Sequence, residues 1–231
     1  MEMKRNYFQL IMVVLLPVMV LWNCAAFRSE IKGKFSGPQK ISSSKEKVSL
    51  LFVFSHYRQV KGYDAIPKLA NKNQRVSDFD DFLRDALKEF KSVENYATFT
   101  EYPSDVNNPQ RRAKKDSLIN TNDFTLKIEF KEEISFTKYM LGGIFSTLSA
   151  TLLPVPYTRT YAVKAQLFND QGKLVNTYTR QASITKWVEL LLIFAYPFYP
   201  ERKEIESVYL EFLHDIFKQI EQEKALVKNQ S

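Results

Sequence analysis

Few residues in this chain have chemistry to offer. Cys24 is the only thiol in 231 residues, which rules out an intramolecular disulfide and a cysteine-based metal site. Two histidines, His56 and His214, leave little material for activating a nucleophile or building a His-rich metal site. Asp78, Asp80 and Asp81 form an acidic cluster that a metal ion or an acid–base pair could use. They follow Ser77 at the head of an apolar-periodic run, however, and capping with helix-dipole compensation is the plainer account. Glu132 and Glu133 are neighbours on an alternating segment, so they face opposite ways and cannot flank one substrate. No phosphate-cradling glycine loop, GxSxG elbow or HExxH helix occurs. The chain reads as a non-enzyme with no metal site.

The elements that must position these residues are clearer. "VSLLFVFSHY" from Val48 is a continuous apolar run of β-branched and aromatic residues, expected as a central strand buried on both faces, with His56 near its end as a satisfied or surface side chain. Phe79, Phe82, Leu83, Ala86, Leu87 and Phe90 share one helical face. A short strand is expected near Tyr96–Tyr102, then an exposed, protease-sensitive loop from Pro103 to Asn122 containing "PSDVNNPQRRAKKD". Phe124, Leu126, Ile128 and Phe130 alternate with polar residues, which predicts a strand with one wet face. Tyr161 to Leu167 and Leu174 to Ile184 form a β-hairpin around "NDQGK", where Gly172 supplies the positive φ of the turn. From Ile205 to Ile220 apolar residues step by three and one, a helix that packs on the sheet and leaves His214 on its polar side. The fold expected is α+β, a mainly antiparallel sheet packed by two amphipathic helices.

Charge points away from nucleic acid. The net +7 is dispersed, with Arg111, Arg112, Lys114 and Lys115 its only dense run, and no aromatic stacking platform accompanies it. Two stretches instead lack charge. Residues 139–158 hold 20 uncharged positions, with Leu141, Ile144, Phe145, Leu148, Leu152, Leu153 and Tyr157 among them. Residues 190–200, "LLLIFAYPFYP", follow Trp187 and include Phe194, Tyr196, Phe198 and Tyr199. The hairpin separates the two stretches, so its outer ends lead to both. Their prolines and glycines weaken a full membrane span. Insertion into a membrane interface and burial, in the domain or under a partner protein, both remain open.

The N-terminus orders Lys4 and Arg5, an apolar stretch Leu10–Trp22, and a small, polar exit Asn23-Cys24-Ala25-Ala26, as an export signal does. An uncleaved anchor competes, because residues 6–27 carry no charge over 22 positions. Both readings export the body. Gly33, Gly37, Pro38 and Ser42-Ser43-Ser44 then read as a flexible tether. The domains expected are 1–23 signal peptide, 24–47 tether and 48–231 a single domain.

The segment Leu21-Trp22-Asn23-Cys24 resembles the lipobox of bacterial lipoproteins, with Leu21 three positions before the cysteine. Trp22 and Asn23 depart from the strict form and resemble the relaxed lipoboxes of spirochaete proteins. Together with "GIFSTLSATLLPVPYTRTYAVKAQLFNDQGKLVNTY", 36 of 231 residues, the pattern is similar to uncharacterised Leptospira-type lipoproteins. The resemblance implies cleavage before Cys24, a diacylglycerol on its thiol, an acyl chain such as palmitate on the amino group that cleavage frees, and no other cofactor. It also implies an outer-membrane envelope location, on the surface or the periplasmic side. The function expected is binding or scaffolding of an envelope or host protein, or else periplasmic support of envelope assembly or transport.

Overall fold

The computed structural model describes residues 26–37, 47–71, 79–149, 154–188 and 201–227. The expected signal peptide, Cys24, Ser77, Asp78, Leu152, Leu153, Phe194, Tyr196, Phe198 and Tyr199 lie outside them.

The fold is α+β, a mainly antiparallel mixed sheet with four helices packed on it, two more than the hydrophobic periodicity announced. Its strands are β1 (Phe27–Arg28), β2 (Val48–Lys61), β3 (Lys68–Leu69), β4 (Val93–Thr100), β5 (Phe124–Ser135), β6 (Val155–Asn169) and β7 (Leu174–Val188). The order across the sheet is β1-β7-β6-β5-β2-β3, and β4 joins the outer edge of β2 ahead of β3. The helices are α1 (Phe79–Ala86), α2 (Pro109–Thr121), α3 (Phe136–Leu148) and α4 (Glu201–Gln222).

The apolar run at Val48 becomes β2 and pairs in parallel with β4 on one side and β5 on the other. Leu50 to Phe54 are all buried, as a strand covered on both faces requires. Phe52, Phe54, Phe130, Val163 and Leu167 point to the face covered by α4, whose Val208, Phe212, Leu213, Ile216, Phe217 and Ile220 are fully buried there. Leu83, Ala86 and Phe90 extend the same core. On the other face a smaller cluster of Leu51, Val53 and Phe99 packs with Leu118 and Ile119 of α2. The β6–β7 hairpin turns at Gly172, which holds φ +72°.

Two expectations are corrected. Residues 103–122 are no loop: Pro103–Asn107 is a 3₁₀ turn and Pro109–Thr121 is α2. Pro109 sits in the first helical turn, where no N–H partner is lost, and the Asn108 side chain accepts from the Arg111 N–H at 3.1 Å. Arg111 itself is clamped. Its guanidinium donates to Asp105 at 2.7 and 3.0 Å and to the Thr100 carbonyl at 2.5 Å, and lies 4.5 Å over the Phe99 ring.

Residues 26–37, expected as part of a flexible tether, are also docked. Phe27 and Arg28 pair with Thr185 and Ile184, and Lys32 exchanges backbone hydrogen bonds with Gln181 at 2.8 and 3.2 Å. The Phe35 N–H reaches the Asp215 carboxylate at 3.0 Å, while Arg28 and Lys34 both pair with Glu211 on α4. Beneath this strap, buried Arg180 donates to Asp215 and Gln219, both at 2.5 Å, and joins hairpin to helix.

Candidate contact surface at one end of the sheet

Helix α3 begins where β5 ends. The Ser135 hydroxyl accepts from the Lys138 N–H, and the chain turns from strand into helix without a linker. An ordinary surface helix buries its apolar stripe and shows its polar one. This helix does the reverse. Its buried residues are Gly142 and Ser146, and Gly142 lies so close to β6 that a Cβ would meet Tyr157 and Val155 at 3.1 Å. Met140, Ile144 and Leu148, spaced by four, and Leu141 and Phe145 beside them, stand 46–79 % exposed. Small residues at the seam let the helix sit close, and the large apolar ones are turned outward.

Neighbouring rings extend this surface. Tyr139 packs on Tyr157 with ring centroids 4.8 Å apart. Because β2 runs parallel to β5, the loop after β2 reaches the same end. There Tyr63 lies 5.7 Å from the Phe136 ring and is itself 74 % exposed, with Ile66 nearby in sequence at 71 %. Asp64 fixes the loop by accepting from the Val60 N–H at 2.9 Å and pairing with Lys68 at 2.6 Å.

Leu141, Ile144, Phe145 and Leu148, singled out in the sequence, are therefore brought onto one exposed helical face. Tyr157 lies half-buried under α3, and Trp187 stands half-buried on β7 opposite Pro156. Tyr63, Ile66, Phe136 and Met140 were missed. The first two sit in a short polar loop with no uncharged run, and only the parallel pairing of β2 with β5 carries Tyr63 of that loop to Phe136 at the start of α3. No helix among the described residues is long and apolar enough to cross a membrane.

The other chemistry-bearing groups have structural partners. His56 is buried and stacked 4.8 Å from Phe130. His214 bridges Glu89 at 2.9 Å and Asp85 at 3.2 Å, fastening α4 to α1 and the turn after it. Glu132 binds Arg159 at 3.1 Å, whereas Glu133 binds Lys61 and Lys131 at 2.6 and 2.5 Å. Among the described residues no group of three His, Cys, Asp or Glu could hold a metal ion. On the sheet face away from α4, a groove of about 360 Å³ is lined by Tyr57, Glu129, Lys131, Lys164 and Thr179. Burial, then the charges of Glu129 and Glu101, push the Tyr57 hydroxyl above its ordinary pKa, so it stays protonated as a donor. Compared with protein families and with characterised proteins, the chain matches none.

Proposed function

We propose that this protein is a lipid-anchored component of a bacterial cell envelope, held at the outer membrane through Cys24, with a non-catalytic binding or scaffolding role. One observation carries the reading. The apolar run Leu10–Trp22 ends two residues before the chain's only thiol, Cys24, and two residues after that thiol Ala26 already packs against the folded core. A signal sequence that abuts a body in this way suits removal of residues 1–23 and retention of Cys24 as an anchor. Each buried methylene of an attached chain contributes about 0.8 kcal/mol, and more than one acyl chain holds a protein stably.

The test is processing and detergent phase partitioning of the full chain made in a lipoprotein-processing bacterial host. The parent is expected in the detergent phase, shortened by residues 1–23 and carrying the mass of a diacylglycerol and an acyl chain on Cys24. Cys24→Ser is expected to remain at precursor length without that mass. A Cys24→Ser chain that is shortened and partitions as the parent does would remove the proposal.

A further inference from the structure

We infer that the outward face of α3 is a membrane-docking surface: Met140, Leu141, Ile144, Phe145 and Leu148 rest in the headgroup–acyl boundary of the bilayer that holds the Cys24 anchor. The inference deepens the lipid-anchor reading and rests on it for the identity of that bilayer.

The first support is the inverted packing of α3. Leaving five large apolar side chains in water while burying glycine and serine is unfavourable unless something apolar covers them. The exposed side of the helix interrupts this surface with one charge, Lys138, whose long stem can carry its ammonium to the headgroups. Tyr63 and Tyr139 stand at its margin, 74 % and 41 % exposed to water, as rings at a membrane interface do.

The second support is the place where the anchor leaves the fold, and it selects a bilayer over a protein. Phe27 is opposite Thr185, and Thr185 is opposite Thr158 of β6. Antiparallel pairing sends the chain before Phe27 toward the Val188 end of β7. That is the end where Val155 and Tyr157 of β6 seat Gly142 of α3. Two strand spacings, about 10 Å, separate β1 from β6. Three residues of chain lead back from Phe27 to Cys24 and span at most about 10 Å. With residues 26–37 strapped to β7 and α4, no slack remains to lift the body away. A lipid on Cys24 therefore brings this end of the sheet, and α3 with it, against the bilayer surface.

The inference is tested on the lipidated full chain in phosphatidylethanolamine–phosphatidylglycerol vesicles. Leu148→Cys and Asp170→Cys each place one free thiol, for an environment-sensitive fluorophore, at positions whose side chains are exposed. Mass spectrometry of Cys24 and the circular dichroism spectrum accompany each sample. Nitroxide-labelled lipids are expected to quench the Leu148 probe strongly and the Asp170 probe, at the far hairpin tip, hardly at all. Phe145→Glu in the Leu148→Cys chain should weaken that quenching, because half-burying one phenylalanine is worth roughly tenfold in partition.

With Cys24 lipidated, an unquenched Leu148 probe overturns the docking inference and leaves the anchor standing. So does equal quenching at both positions. A shifted Leu148 emission without lipid quenching means that a protein, a second copy included, covers α3, and this too overturns it. An unmodified Cys24 removes the anchor, and quenching of the Leu148 probe in a chain that also carries Cys24→Ser then supports docking alone.

Discussion

Gly142 is the residue on which the contact surface turns. Its missing side chain is what allows α3 to lie against Tyr157 and Val155. Gly142→Leu should push the helix off β6 and cost about 1–3 kcal/mol, read as a lower urea midpoint. Gly143 meets no atom within 4 Å of an added Cβ. Gly143→Ala should therefore stabilise by roughly 0.5–1 kcal/mol through helix propensity alone. The pair of substitutions separates close packing from backbone entropy. Asp215 is the second such residue, since it satisfies both buried Arg180 and the Phe35 N–H. Asp215→Ala leaves a guanidinium that is 4 % exposed without its carboxylate, at a cost of about 3–5 kcal/mol. Hydrogen exchange should show the loss twice, as lower global stability and as faster exchange at the Phe35 amide. Arg180→Lys should not substitute for the parent, because one ammonium cannot serve Asp215, Gln219 and the Thr179 carbonyl with a planar fork.

At the scale of elements, legibility follows from how much of an element's stability is periodic burial. The hairpin and α4 were readable because nearly every inward position is apolar. Helix α2 was not, because only Leu118 and Ile119 pack from it and its hold on the sheet is polar. That polar hold has a pH signature. Burial raises the Asp105 pKa, but hydrogen bonds from Arg111 and from the Tyr102 N–H more than offset it, and the net shift is below the ordinary 3.8. The folded carboxyl thus binds a proton less readily than the unfolded one. Its contribution is fully present above the ordinary value and is lost as pH falls through the depressed one. Asp105→Asn should lower the melting temperature near neutral pH, and its gap to the parent should narrow on acidification between about pH 5 and pH 2. Strand β1 was illegible for another reason: two residues of pairing leave no pattern, and its partner β7 lies far along the chain. The candidate surface was legible in part. An uncharged stretch announced Leu141 to Leu148, but that α3 shows those side chains and hides its glycine depends on a seat on β6 that no local pattern encodes.

For the whole molecule, the sheet is a lever with one greasy end. Strands β6 and β7 are 15 residues each, about 50 Å at 3.3 Å per residue. Under the proposed docking of α3, the Asn169–Lys173 turn stands at the far end of the hairpin from the headgroups. Inserting about ten Gly/Ser residues after Ala25 should preserve anchoring while restoring slack. Quenching at Leu148 should then fall toward what α3 achieves unaided, and proteolysis of the body at the bilayer should speed up. The strap of residues 26–37 also sets an order of events. It is among the first parts of the chain to be made, but Gln181, Ile184, Glu211 and Asp215, which hold it, are among the last. At about 5–20 residues per second, the interval between the two is on the order of ten seconds or more. Throughout it residues 26–37 lack the strand and helix that hold them. The strap closes only when β7 and α4 are in place, so among the described residues the part of the fold made first is seated last.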